Sequence, residues 1–291
     1  MSLPMIVCRN GELIPAEEAR VSIFNPALYT AFGVYESIQC EKGVVFHLED
    51  HLKRLTHSAR LLEMPLPADV ETIASWLPPL LAANQSPTCL IRLYVLGPNG
   101  HEPGLAFLWP EAPRRYTRDL YEAGATAILY NGTRALPQAK SLNTLVNFLA
   151  RRQAQSVGAH EGLLCHDGYV FEGSSSNLFA VIGGQLVSPP EEMILSGVTR
   201  DIVLRLAREE GIPTASRLLP VEEMTTWDEA FITSTSRHVM PLVRVDGRPV
   251  GPGRVGPVTK RLMEAFERYY RAYLASHEPV LRLEPTSTAK P

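Results

Sequence analysis

A chain of 291 residues with 45% apolar and 20% charged side chains can bury the core of one large domain or two ordinary ones. Its net charge of -3 argues against nucleic acid as a partner, since phosphate binding leaves a basic footprint. No apolar run reaches the roughly 18 residues of a membrane span, and the first residues lack the apolar segment of a signal peptide; Cys8, Cys40, Cys89 and Cys165 are too scattered for a disulfide framework or a zinc site, so reduced thiols, no membrane contact and a cytoplasmic location are expected.

In chain order, MIVCR and ELIP flank Asn10-Gly11, a type I′ hairpin signal because both turn positions take positive φ. VYESIQC and VVFHL flank Glu41-Lys42-Gly43 as a second hairpin. Leu48, Leu52, Leu55, Ala59 and Leu62 share one helical stripe. Residues 70–84 form another helical stretch, interrupted by Pro78 and Pro79, and CLIRLYVLG and GLAFLWP read as strands. Strands and helices in separate runs give an α+β class. A small α+β domain is expected over 1–113, a polar, basic, proline-containing linker over 114–123, a larger strand-rich domain over 124–275 and a loose tail over 276–291.

Within the larger domain, ATAILY is a strand leading into RALPQAKSLN. A helix is expected from Ser141 as N-cap to Gly158, with Leu142, Leu145 and Leu149 as its apolar stripe. Hairpins turn on Asp167-Gly168, Gly183-Gly184 and Asp246-Gly247; the helix TRDIVLRLAREEGI and the strand DEAFITS lie between the last two. VTKRLMEAFERYYRAYL is the final helix.

Lys140 stands where a strand hands over to a helix, a place from which an amine can form a Schiff base with a carbonyl compound. Leu195–Arg200 precedes a strong helix, whose first N–H groups and dipole suit a phosphate. Thr233–Ser236 is a second hydroxyl-rich loop. Taken singly, these are also what a solvated lysine and capped turns look like. Glu172 ends the apolar strand YVFEG, and a carboxylate opposite a protonated pyridine supports an electron sink for a carbanion. Lysine, two anion-grade turns, Arg54 and this glutamate together match what pyridoxal 5'-phosphate requires.

The motifs GVYESI, HLKRLTHSARLL, AKSLNTLVNFLARRQA, DGYVFEGSSSNLFAV, ILSGVTRDIVLRLA and DEAFITSTSRHVMPLVRVDG occur in that order. The chain thereby resembles, over about residues 5 to 270, the fold-type IV, class IV pyridoxal-phosphate aminotransferases, which include branched-chain and D-amino-acid aminotransferases and aminodeoxychorismate lyases. The resemblance implies two domains with the cofactor in the cleft between them, and a homodimer. It implies that Lys140 holds the cofactor and moves the proton between Cα and the cofactor's C4′, and that Glu172 keeps the pyridine nitrogen protonated. Arg54, Val198, Thr199 and Thr235 match phosphate contacts. Ser236, Tyr35 and Arg92 match substrate-side positions, and Ser176 and Asn177 lie near the cofactor by analogy.

Some residues depart from the family pattern. Tyr29-Thr30-Ala31-Phe32 replaces a Tyr-Gly-Asp-Gly stretch, and Leu145 stands where branched-chain enzymes carry a cofactor-contacting tyrosine. KSLN and EGSSSN resemble the D-amino-acid and lyase branches, yet of the arginine-histidine pair of the D-specific branch only His101 is present, and Arg92 in IRLYV fits the branched-chain pattern. The expected activity is transamination between an L-amino acid with an apolar, branched side chain and a 2-oxo acid such as 2-oxoglutarate, in a pocket bounded by Phe32, Leu145, Val239 and Met240. The alternatives are D-amino-acid or (R)-amine transamination, or lyase chemistry.

Overall fold

The computed structural model describes residues 5–100 and 103–281, so His101 lies outside it. The chain divides into two units: one gathers the described residues of Met1–Tyr29, Gly33–Arg114 and Ala272–Pro291, the other Thr30–Phe32 and Arg115–Arg271.

In the first unit, Asn10 and Gly11 take φ of 48° and 90° and join β1 (Ile6–Arg9) to β2 (Glu12–Pro15). A single helical turn, α1 (Ala27–Thr30), precedes β3 (Gly33–Glu41), which turns through Lys42 and Gly43 into the two-residue β4 (Val44–Val45). Next come α2 (Leu48–Leu61), α3 (Val70–Ser75), α4 (Leu77–Ala83), β5 (Cys89–Leu96) and β6 (Leu105–Glu111). Pro78 and Pro79 do not interrupt one helix. They sit in the first turn of a second, where a missing N–H removes no intrahelical bond. The six strands form an antiparallel sheet in the order β2-β1-β6-β5-β3-β4. Alternation along β3 buries Val34, Glu36, Ile38 and Cys40, and α2 packs on β3 with Leu52, Leu55 and Ala59 buried. Cys8, Cys40 and Cys89 are free, buried thiols, and Cys165 is half-buried.

Residues 272–281 belong to this unit too. The Tyr273 ring stacks on His47 and its hydroxyl accepts the His47 backbone N–H at 3.1 Å, while the Val280 N–H donates to the Gly43 carbonyl at 2.8 Å. The stretch expected as a loose tail is therefore tied down as far as Leu281; its remainder lies outside the described residues.

In the second unit, part of the expected linker is helical: α5 (Arg118–Ala123) packs on the sheet, burying part of Leu120 and Tyr121 against the core. The remaining elements are β7 (Ala125–Asn131), α6 (Leu145–Ser156), β8 (Glu161–His166), β9 (Tyr169–Gly173), β10 (Ser176–Ile182), β11 (Gln185–Ser188), α7 (Val198–Glu209), β12 (Thr214–Ser216), β13 (Leu219–Pro220), β14 (Glu229–Ser234), β15 (His238–Val245), β16 (Arg248–Pro249) and α8 (Pro257–Ser276), whose last residues pass into the first unit. Because β9 pairs β10 as well as β8, the strands β10-β14-β15-β7-β8-β9 close on themselves into a ring. Its apolar cluster includes Ala125, Leu163, Val170, Leu178, Ile232 and Met240.

Candidate active site

Plain alternation along β9 from Val170, a member of the apolar cluster, would turn Glu172 toward that cluster as well. A β-bulge prevents this. Val170 pairs Cys165, but Glu172 pairs Leu164, so Phe171 is the extra residue and Glu172 changes face. The pairings then align Leu164, Glu172, Asn177, Thr233 and Val239 across five strands, on the opposite side from Leu163, Leu178, Ile232 and Met240. On that side the Glu172 carboxylate is almost fully buried and hydrogen-bonded. Oε2 accepts the Leu195 backbone N–H at 3.1 Å and the Asn177 amide at 3.5 Å, while Oε1 accepts Arg134 Nε at 2.8 Å.

Asn177 also donates to the Leu195 carbonyl at 2.8 Å, which draws the start of α7 against Glu172. Val198 and Thr199 open that helix after Gly197 as N-cap, so their backbone N–H groups belong to the first turn and have no partner within the helix. Thr199 is thus inside the helix and does not cap it. Gly197 has an ordinary φ of -82°, and glycine is required there for space: a Cβ would collide with Asn177 Oδ1. Thr233 Oγ1 is buried on the same side and has no hydrogen-bond partner among the described residues.

Lys140 lies in the connection from β7 to α6. That helix begins at Leu145 with Thr144 as its N-cap, three residues later than expected, and Ser141 does not cap it. Leu145 and Phe148 are exposed, and the buried face is Ala150 and Ala154. The reason is distance. α6 runs so close to β8 that a Cβ on Gly162 would meet the Ala150 carbonyl at 2.7 Å, leaving no room for leucine. Arg134 organises the connection itself: its guanidinium donates to the carbonyls of Ala139, at 3.0 Å, and Pro137 while pairing with Glu172.

Thr235 and Ser236 occupy the turn between β14 and β15, beside Arg237. Arg237 Nη1 reaches Glu161 Oε2 at 2.6 Å, and the same carboxylate accepts Ser174 and Ser176 hydroxyls, the latter at 2.9 Å. Burial opposes the arginine's charge, but Glu161 outweighs it and raises the pKa. The hydroxyl-rich turn and the EGSSSN loop are thus fastened to one buried ion pair.

The first unit holds Arg54, Tyr35 and Arg92. Arg54 does not sit alone amid leucines: Glu36 accepts its Nε at 2.8 Å and Nη2 at 2.7 Å, and His51 Nδ1 lies 2.7 Å from the same carboxylate. Tyr35 alternates with Glu36 on β3, so it occupies the other face of the sheet, edge-on to Tyr94. Arg92 shares that second face. Its Nε donates to Glu111 at 2.9 Å and its Nη1 to Ser37 at 2.5 Å.

Sequence reasoning overlooked Arg134, Glu36, Glu161 and Arg237. Two of them carried a readable signal. Glu36 falls in the apolar phase of β3, between Val34 and Ile38, and a carboxylate there needs a buried cation. Arg134 is the one cation on the approach to Lys140.

Residues 33–245 match the class IV amino-transferase family. The chain belongs to the class IV aminotransferases. It is 35% identical over 280 residues to a putative branched-chain-amino-acid aminotransferase of Methanocaldococcus jannaschii, covering 90% of this chain and 96% of that one. It is 34% identical over 272 residues to a D-alanine aminotransferase of Staphylococcus haemolyticus, covering 89% and 96%. Among solved structures, a T.th. branched-chain amino acid aminotransferase with pyridoxamine 5'-phosphate superposes with a TM-score of 0.86 at 30% identity, covering 95% of this chain and 96% of that one. The fold is therefore the α+β fold of type IV, and the protein is a pyridoxal-phosphate-dependent aminotransferase. The donor set of this class IV aminotransferase fits that cofactor: an anion-receptive helix start, a buried carboxylate and an unpartnered threonine hydroxyl come together on one side of the strand ring.

Proposed function

We propose that this aminotransferase exchanges an amino group between an L-amino acid with an apolar, branched side chain and a 2-oxo acid such as 2-oxoglutarate, as a cytoplasmic homodimer. The observation that carries the assignment of roles is the bulge that turns Glu172 to the side where α7 begins. On this reading Glu172 faces the ring nitrogen, and Arg54, the Val198 and Thr199 N–H groups and the Thr199 and Thr235 hydroxyls take the phosphate. Lys140 is the covalent anchor and the base that carries the Cα proton. Tyr35, Arg92 and Ser236 meet the substrate. Pyridoxal phosphate, when bound, supplies the electron sink that lets that proton leave.

The substrate class is supported by the branched-chain relatives and by Arg92. Of the apolar residues expected around the substrate, Val239 lies on the Glu172 side, whereas Met240 belongs to the cluster on the opposite side and Leu145 is exposed. A loosely bounded apolar pocket separates such side chains by only about 1–3 kcal/mol per methylene, so broad specificity is expected. A D-amino-acid donor is the second reading, favoured by the D-alanine aminotransferase relative at 34% identity. The dimer is supported by Ile23, Phe24 and Tyr29, each more than three-quarters exposed, as large apolar side chains for a second copy to cover. A location in the cytoplasm is supported by the free thiols, and no helix among the described residues is long and apolar enough to cross a membrane.

Mixing the pyridoxal form with L-leucine, D-alanine and (R)-1-phenylethylamine in turn tests the donor. Rapid loss of the visible band with L-leucine is expected, and loss with D-alanine alone overturns the assignment. Borohydride reduction is expected to fix the cofactor on Lys140, and a label mapped to any other residue removes Lys140 from its role.

A further inference from the structure

We propose that Arg134 is a positioning residue that aims the Glu172 carboxylate and, through the same guanidinium, fixes the segment that delivers Lys140. Three contacts carry this. Arg134 Nε is 2.8 Å from Glu172 Oε1, Nη1 donates to the Ala139 carbonyl at 3.0 Å, and Nη2 donates to the Pro137 carbonyl. Ala139 is fully buried and directly precedes Lys140. One rigid, planar cation thus ties a carboxylate on β9 to the backbone immediately before the lysine, a geometry that a flexible ammonium cannot reproduce.

The arrangement divides the carboxylate between two tasks. Oε1 is held by Arg134, and Oε2 is held by Leu195 N–H and Asn177. Burying a carboxylate with only about 6% of its side chain exposed costs less beside a cation, and Arg134, itself about 10% exposed, is paired with it. Removing that guanidinium releases Oε1 and lets the Glu172 carboxylate turn away from the ring nitrogen it faces on this reading. Arg134 touches neither substrate nor reacting atoms on this account; it acts through Glu172 and through residues 137–139.

The inference rests on the assignment of Glu172 to the cofactor ring, and the test separates the two. Arg134→Gln, Arg134→Lys, Glu172→Gln and the double variant are compared with the native holoenzyme. Three quantities are read: the dissociation constant for pyridoxal phosphate, the pH midpoint of the visible band, and the melting temperature of the cofactor-free chain. Arg134→Gln is expected to weaken cofactor binding by about tenfold or more and to move the pH midpoint. Arg134→Lys, which keeps the charge and loses the fork, is expected to restore part of the midpoint shift but not the affinity. The double variant is expected to bind no more weakly than the weaker single one, because the two residues act as a unit. An unchanged midpoint in Arg134→Gln, or losses that simply add in the double variant, overturns the proposal. If Arg134→Gln does not fold, the midpoint of Arg134→Lys decides in its place: a shift supports the proposal and a native value overturns it. Should the ring assignment be wrong instead, Glu172→Gln leaves the native midpoint in place while melting temperatures still show Arg134 and Glu172 coupled.

Discussion

Glu36 accepts both Nε and Nη2 of Arg54, at 2.8 and 2.7 Å, inside the small unit where neither side chain is more than marginally exposed. Burial raises the carboxyl pKa of Glu36, yet Arg54 first and His51 second outweigh it and hold the group well below the ordinary carboxylate range. Glu36→Gln leaves a buried guanidinium without its anion, so a loss of about 3–5 kcal/mol in unfolding free energy is expected from denaturant titration. The pair also contributes to acid sensitivity. Its stabilisation is complete above the unfolded carboxyl pKa of about 4.3 and is lost as pH falls from there toward the depressed folded value. Glu36→Gln is expected to flatten the stability curve in that acid window.

Glu172→Gln is expected to lower single-turnover Cα proton removal while pyridoxal phosphate still binds. It also orphans Arg134, so the cofactor-free chain should melt at a lower temperature than the native one. Stopped-flow mixing with donor and a thermal scan check the two halves. A native single-turnover rate removes Glu172 from the ring nitrogen.

Gly197→Ala introduces a Cβ against Asn177 Oδ1, and the clash reaches the Leu195 and Glu172 bonds that Asn177 organises. Backbone strain plays no part, because φ at this position suits any residue. The expected result is a weaker dissociation constant for pyridoxal phosphate with a cost of about 1–3 kcal/mol in stability. Spectroscopic titration of the resolved enzyme measures the first and denaturant titration the second.

His238 packs between Phe266 and Tyr270 on α8, and burial pushes its pKa down to about 4, with Glu267 opposing slightly. The unfolded chain, with a pKa near 6.5, therefore binds more protons than the folded one between those values. Stability should fall as pH drops from about 6.5 to 4. His238→Asn, chosen because the native φ of 54° tolerates asparagine, is expected to remove that part of the slope in melting temperature against pH.

How much of this was legible depended on whether a signal was local. Turns that force positive φ announced themselves: Asn10-Gly11, Asp167-Gly168 and Asp246-Gly247 are hairpins in the structure. Tertiary spacing was invisible. Leu145 of the expected leucine stripe is exposed and Leu149 only half-buried because Gly162 and Ala150 bring strand and helix backbones together, and nothing in the helix's own periodicity encodes that approach. The bulge at Phe171 is likewise unwritten in YVFEG, since it exists only relative to β8. Motif order pointed to Lys140, Glu172 and Arg54. The side chains that hold two of them, Arg134 and Glu36, lie 38 and 18 positions from their partners, so their own positions could be flagged from the sequence but the pairings needed the fold to be seen.

The stacking of Tyr273 on His47 has a consequence for biosynthesis. Those residues are 226 positions apart, so the amino-terminal unit lacks a piece of its own packing until that much more chain has been made. At about 5–20 residues per second that is a wait of roughly 10 to 45 seconds. During this interval the aromatic faces of Phe46 and His47 are without their Tyr273 partner, and a nascent chain stalled before the end of α8 would offer them to chaperones.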